Sequence, residues 1–167
     1  FIISIFSFAY ELFNFTLSID EELSMAKTTP NLVWVAQGRW SFYFLSFLYL
    51  PNPIVPFVPL LMTLIFSAAS YAIIAKLFTK KIGIESYIAA PLVLTCTTLY
   101  FAYHFNTVNF GFGIGFFLSA FSVYCLINYT SKIKYLCIFL LAFSIGIYQA
   151  FVPWICILFC FYLLHLI

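Results

Sequence analysis

The stretch "LSIDEELS", Leu17 to Ser24, places three of the chain's five acidic residues side by side as Asp20, Glu21 and Glu22. Adjacent helical residues point about 100° apart, so neighbouring carboxylates can take separate tasks. One can act as general base while another orients it or holds a cation. The same segment, residues 18–40, carries Lys27 and Arg39. A guanidinium suits bidentate capture of phosphate. Gln37 precedes Arg39 in "QGRW", and Trp34 and Trp40 supply rings that either stack on a sugar or anchor the chain at a membrane interface. Anchoring is the stronger reading. A plainer account competes for the acids: Ser18 and Glu21 match a capping box, with carboxylates favoured at a helix N-terminus. Charge–dipole terms of about 0.3–1 kcal/mol explain why acids are tolerated there, not why they are concentrated.

Other polar residues lie in apolar surroundings. Glu11 sits inside the first apolar run, either as an intramembrane functional acid or as a side chain snorkelling to the nearby interface. His104, Asn106 and Asn109 fall in one break between apolar runs, and Tyr148 and Gln149 in another. Both breaks are expected on the same side as the acids, where they can wall one polar cavity. For His104 alone, an ordinary loop residue is the favoured reading. The five cysteines lie in apolar runs without a CxxC and read as small packing residues. No metal-binding cluster is expected. The acids can hold a divalent cation, but nothing in the sequence requires a cofactor.

These residues need elements to position them, and the composition says which kind. Of the 167 residues, 65% are hydrophobic and only 7% charged. A soluble domain carries about 25% charged residues, so the chain is expected to be an all-α polytopic transmembrane bundle. A crossing helix needs roughly 20 apolar residues. Residues 1–17 make a first span. "LPNPIVPFVP" (Leu50 to Pro59) divides the uncharged run 41–75, leaving 41–50 too short to cross and 54–75 as a second span. Residues 86–131 hold two more, residues 135–167 a fifth and the start of a sixth, split at "IYQAFVPW" (Ile147 to Trp154). A short interfacial helix is expected in the first outer loop. Lys76, Lys80, Lys81, Lys132 and Lys134 collect on one side, which is therefore cytoplasmic. The acidic loop is extracytoplasmic. Gly111 and Gly115 form a GxxxG expected to support helix packing inside the bundle. The chain starts without Met and stops within an apolar run, as an excerpt of a longer protein would.

"NFTLSIDEE", then "QGRW", a proline-bounded span and "IGIYQAF" at the end of a later span resemble, in this order and through most of the chain, the type II O-antigen glucosyltransferase family. The resemblance implies a bacterial membrane glycosyltransferase of the GT-C class, with residues 1–167 as its N-terminal part. It implies transfer of a sugar, glucose in this family, from a polyprenyl-phosphate donor to O-antigen or another cell-surface glycan. The reaction would take place outside the cytoplasmic (inner) membrane. It places the acidic motif at Asp20 and Glu21. The family often has paired aspartates where this chain has Asp-Glu-Glu, so either Glu21 or Glu22 matches the second acid. The implied catalytic set is Asp20, Glu21 and Glu22. Together with the charge and placement read above, the expected substrate-binding set is Arg39, Lys27, Trp40, Gln37, His104, Tyr148 and Gln149. The expected partners are the lipid-linked sugar, the glycan acceptor and the bilayer, and no nucleic acid. Two other readings compete: a transporter or channel segment with an acidic outer mouth, and a structural membrane subunit whose acids only cap a helix.

Overall fold

The computed structural model describes residues 1–14, 32–49, 57–78, 109–129 and 133–166. Every regular element among them is an α-helix: α1 Ile2–Ser7, α2 Ala9–Phe13, α3 Val33–Ala36, α4 Trp40–Tyr49, α5 Val58–Phe78, α6 Asn109–Asn128, α7 Ile133–Ile147 and α8 Phe151–Leu166. Helices α5 and α6 contain 21 and 20 residues. At 1.5 Å per residue they reach about 30 Å, the thickness of the hydrocarbon core. Both are long and apolar enough to cross a membrane. Helices α7 and α8 are apolar but shorter, at 15 and 16 residues. Of the six spans expected, two thus have full crossing length, and the third lies outside the described residues.

The boundaries follow local chemistry. Helix α5 begins four residues later than expected, after Phe57 with φ +62°. Pro59 sits in its first turn, where a missing N–H costs least. Helix α4 is only 10 residues long, in keeping with a segment too short to cross. The expected first span is interrupted. Phe8 separates α1 from α2 with φ −113° and ψ 21°, while the i→i−4 bonds of Phe8 and Leu12 continue across it. Neither proline nor glycine stands there. The interfacial helix expected after Ser18 lies outside the described residues, and α3 is a separate short helix closer to Arg39.

Helix α6 is the hub, packed against α5, α7 and α8. Its "GFGIG" segment explains how. Gly111 and Gly115, four apart, share one face. Phe42 of α4 and Ile147 of α7 crowd Gly111, and the Phe151 ring of α8 crowds Gly115. Gly113, about 200° round the helix, faces α5 instead. A methyl group there would lie 2.7 Å from the Thr63 Cα. The GxxxG therefore serves packing within the chain, as expected. Around these contacts Phe42, Leu60, Leu64, Phe116, Val123, Ile147 and Phe151 form one core.

Several buried hydroxyls are satisfied within their own helices, whereas those of Ser4, Ser41 and Ser122 find no partner among the described residues. Thr63 Oγ1 donates to the Pro59 carbonyl (2.9 Å), Ser70 Oγ to Phe66 (2.8 Å), Ser119 Oγ to Phe116 (2.9 Å) and Ser144 Oγ to Leu141 (2.8 Å). At these four positions a hydroxyl is carried in an apolar interior without being left unpaired. The outward faces are apolar. Tyr135, Leu136, Ile138 and Phe139 of α7, with Phe161, Leu163 and Leu164 of α8, are exposed. Such surfaces suit a lipid solvent rather than water.

Candidate functional site

The site is built on the α3–α4 loop. Helix α3 ends in a Schellman motif. Gly38 adopts φ +78°, its N–H donates to the Val35 carbonyl (2.9 Å), and the Arg39 N–H donates to the Trp34 carbonyl (2.7 Å). Glycine reaches this left-handed conformation without a Cβ penalty. The Arg39 carbonyl then accepts from the Tyr43 N–H (3.1 Å), starting α4. "QGRW" is therefore a hinge between two helices, with Arg39 fixed at its corner.

The second part is the turn between α7 and α8. The Phe151 and Val152 N–H groups donate to the Tyr148 and Gln149 carbonyls at 3.1 and 3.0 Å, and Pro153 needs no partner in this first turn. The turn docks on the hinge. Gln149 Nε2 donates to the Gln37 carbonyl across 112 positions of sequence, at 2.7 Å. That carbonyl is one of the unpaired acceptors at the C-terminus of α3. A methyl group on Gly38 would sit 2.6 Å from the same Gln149 nitrogen, so glycine is needed for the contact as well as for the φ angle.

Docking brings aromatic rings to Arg39. Its guanidinium carbon lies 5.3 Å from the Trp34 ring centroid and 4.8 Å from that of Tyr148. Trp34 is itself braced edge-on by Phe42 at 5.1 Å, and Tyr148 lies 6.4 Å from Phe112. Ring faces attract the cation without neutralising it. Arg39 Nε is buried and has no hydrogen-bond partner among the described residues. The arrangement holds a positive charge, with a donor still to be satisfied, at the end of the bundle where α3, α4, α7 and α8 meet. An anionic oxygen is the chemical complement of such a group.

Trp40 points elsewhere. It packs edge-on against Phe143 of α7 at 5.7 Å and rests on Gly146, where an added methyl would lie 2.5 Å from its Cε2. It remains partly exposed and ties α4 to α7. The Gln37 side chain is exposed, and its backbone carbonyl makes the contact with Gln149. The structure thus brings together Gln37, Arg39, Tyr148 and Gln149, with Trp40 beside them on the α4–α7 contact. Asp20, Glu21, Glu22, Lys27 and His104 lie outside the described residues. Glu11 is half-buried on α2. Among the described residues no group of three or more His, Cys, Asp or Glu could hold a metal ion. Cys125 and Cys137 are buried, Cys156 and Cys160 exposed, and all four are free thiols.

Sequence reasoning missed two parts of this site. One is Trp34 as a partner of Arg39, and the other is Gly38 as the residue that admits Gln149. The signal for the second was present, since a glycine directly after a short apolar helix is a C-cap pattern.

No curated protein and no solved structure matches the chain. A family model, glucosyl transferase GtrII, matches residues 9–167 and so spans both the hinge and the turn. Combined with described elements that are all helices, two of them of membrane-crossing length, that match establishes that the chain belongs to the glucosyl transferase GtrII family, whose members are glycosyltransferases.

Proposed function

We propose that residues 1–167 form the N-terminal part of a GT-C-type membrane glucosyltransferase domain. It moves glucose from a polyprenyl-phosphate donor to the O-antigen of lipopolysaccharide, or to another cell-surface glycan. The reaction runs on the outer side of the bacterial inner membrane, with the acidic loop extracytoplasmic. One observation carries this reading beyond family membership. The "QGRW" hinge and the "IYQAF" turn, far apart in sequence, meet at a cation that no acid among the described residues neutralises.

In this reading a carboxylate, Asp20, takes a proton from the acceptor hydroxyl. The freed oxygen attacks the anomeric carbon, the bond from that carbon to the phosphate oxygen breaks, and polyprenyl phosphate leaves. Arg39, with Lys27 from the same loop, stabilises the charge that grows on the phosphate. Glu21 or Glu22 orients the base or holds a divalent cation. His104 joins the wall of the cavity, and the polyprenyl tail runs between helices. The transporter or channel alternative gains no support from the family match.

The test is transfer from polyprenyl-phosphate glucose by the intact protein and by Asp20→Asn. The variant should insert normally and lose transfer. Near-normal transfer would remove Asp20 as the base.

A further inference from the structure

Arg39 is held by aromatic rings from two elements, Trp34 on α3 and Tyr148 in the α7–α8 turn, 5.3 and 4.8 Å from its guanidinium carbon. Tyr148 reaches Arg39 because the neighbouring Gln149 amide is bonded to the Gln37 carbonyl. A carboxylate partner would fix the guanidinium more strongly but would cancel its charge. Ring faces orient it and leave the charge available to an incoming anion.

We propose that Tyr148 and Trp34 form an aromatic clamp that positions Arg39, and that Tyr148 acts through the face of its ring rather than through its hydroxyl. The inference rests on the reading of Arg39 as the group facing the donor phosphate. Both aromatics are positioning residues, and neither forms a bond to substrate. The clamp also links the hinge to α8, because the turn that presents Tyr148 is the start of that helix.

The experiment uses the intact protein in detergent or nanodiscs. It reads the Kd for radiolabelled polyprenyl phosphate together with kcat/KM for transfer. Tyr148→Phe keeps the ring and should stay within about twofold of the parent, whereas Tyr148→Leu should weaken donor binding about fivefold, as loss of a partly exposed cation–π contact does. In an Arg39→Ala background, Tyr148→Leu should add nothing to the Kd, because the ring then has no cation to hold. Trp34→Phe against Trp34→Leu repeats the comparison from the other ring, so a folding defect in one variant leaves the test intact. Loss of binding in Tyr148→Phe equal to that in Tyr148→Leu would assign the hydroxyl a direct role and overturn the clamp. Additive losses with Arg39→Ala would make Tyr148 merely structural and overturn it too. Full binding and transfer by Arg39→Ala would instead remove the donor-phosphate reading, and the clamp's function with it.

Discussion

Replacing Gly38 by alanine tests the hinge at its tightest point. Two penalties are expected. Gly38 has φ +78°, and an L-residue in the left-handed region costs about 1–2 kcal/mol. The new methyl would also lie 2.6 Å from Gln149 Nε2, so the amide must move and its 2.7 Å bond to the Gln37 carbonyl is lost. A typical hydrogen bond contributes about 1 kcal/mol net. The sum is about 2–3 kcal/mol, or about a 30- to 140-fold fall in the folded-to-unfolded ratio at 1.4 kcal/mol per factor of ten. The assay is reversible unfolding of the intact protein in mixed micelles, run on Gly38→Ala, Gln149→Ala and the double variant. Gln149→Ala alone should cost about 1 kcal/mol. The double variant should cost about 1 kcal/mol less than the sum of the singles, since both remove the same bond. Gly38→Asn, which tolerates the left-handed region, should recover part of the loss but not the contact with Gln149. Strict additivity of Gly38→Ala and Gln149→Ala would refute the docking of the α7–α8 turn on the hinge.

Further outcomes follow from the same geometry. Gly113→Ala drives a methyl to 2.7 Å from the Thr63 Cα, where backbone cannot give way, and should destabilise the α5–α6 contact by about 1–3 kcal/mol in the same unfolding assay. Arg39→Lys should lose most of the donor affinity that Arg39 confers, because an ammonium cannot offer the planar fork; donor Kd measures this, and an unchanged value would rule out bidentate phosphate capture. In intact cells, a membrane-impermeant maleimide should label Gln37→Cys. Lys134→Cys should label only after permeabilisation, both in a background without the native cysteines, and the reverse pattern would invert the topology. Chelation by EDTA followed by the transfer assay decides whether the acids use a divalent cation: restoration by added metal would show that they do.

Much of the architecture was legible in the chain because composition and charge placement are local properties. An apolar run without charges must fold as helix in a lipid solvent, since every backbone polar group has to be paired within the segment. That reasoning found α5, α6 and the break between α7 and α8 to within a few residues. It also found the packing role of Gly111 and Gly115, because a four-residue spacing puts two residues on one helix face. It was less good at helix ends. Phe57 at positive φ delays α5, and the interruption at Phe8 leaves no mark that a pattern of apolar residues can carry.

The sequence by itself determined that this is a membrane-type helical chain of the GtrII family, and that Arg39 and Gln149 lie in polar breaks between helices. Only the tertiary structure decided that these breaks touch. Contact between positions 112 apart depends on how far each helix is rotated and how closely it approaches α6. That approach is set by glycines facing specific rings and a specific backbone. Residue types could suggest that Trp34 stacks on a sugar and that Tyr148 walls a polar cavity, but three-dimensional placement turned both rings toward Arg39. The physical reason is that helix formation is decided by neighbours in sequence. The setting of a cation between rings is decided by packing across the whole bundle.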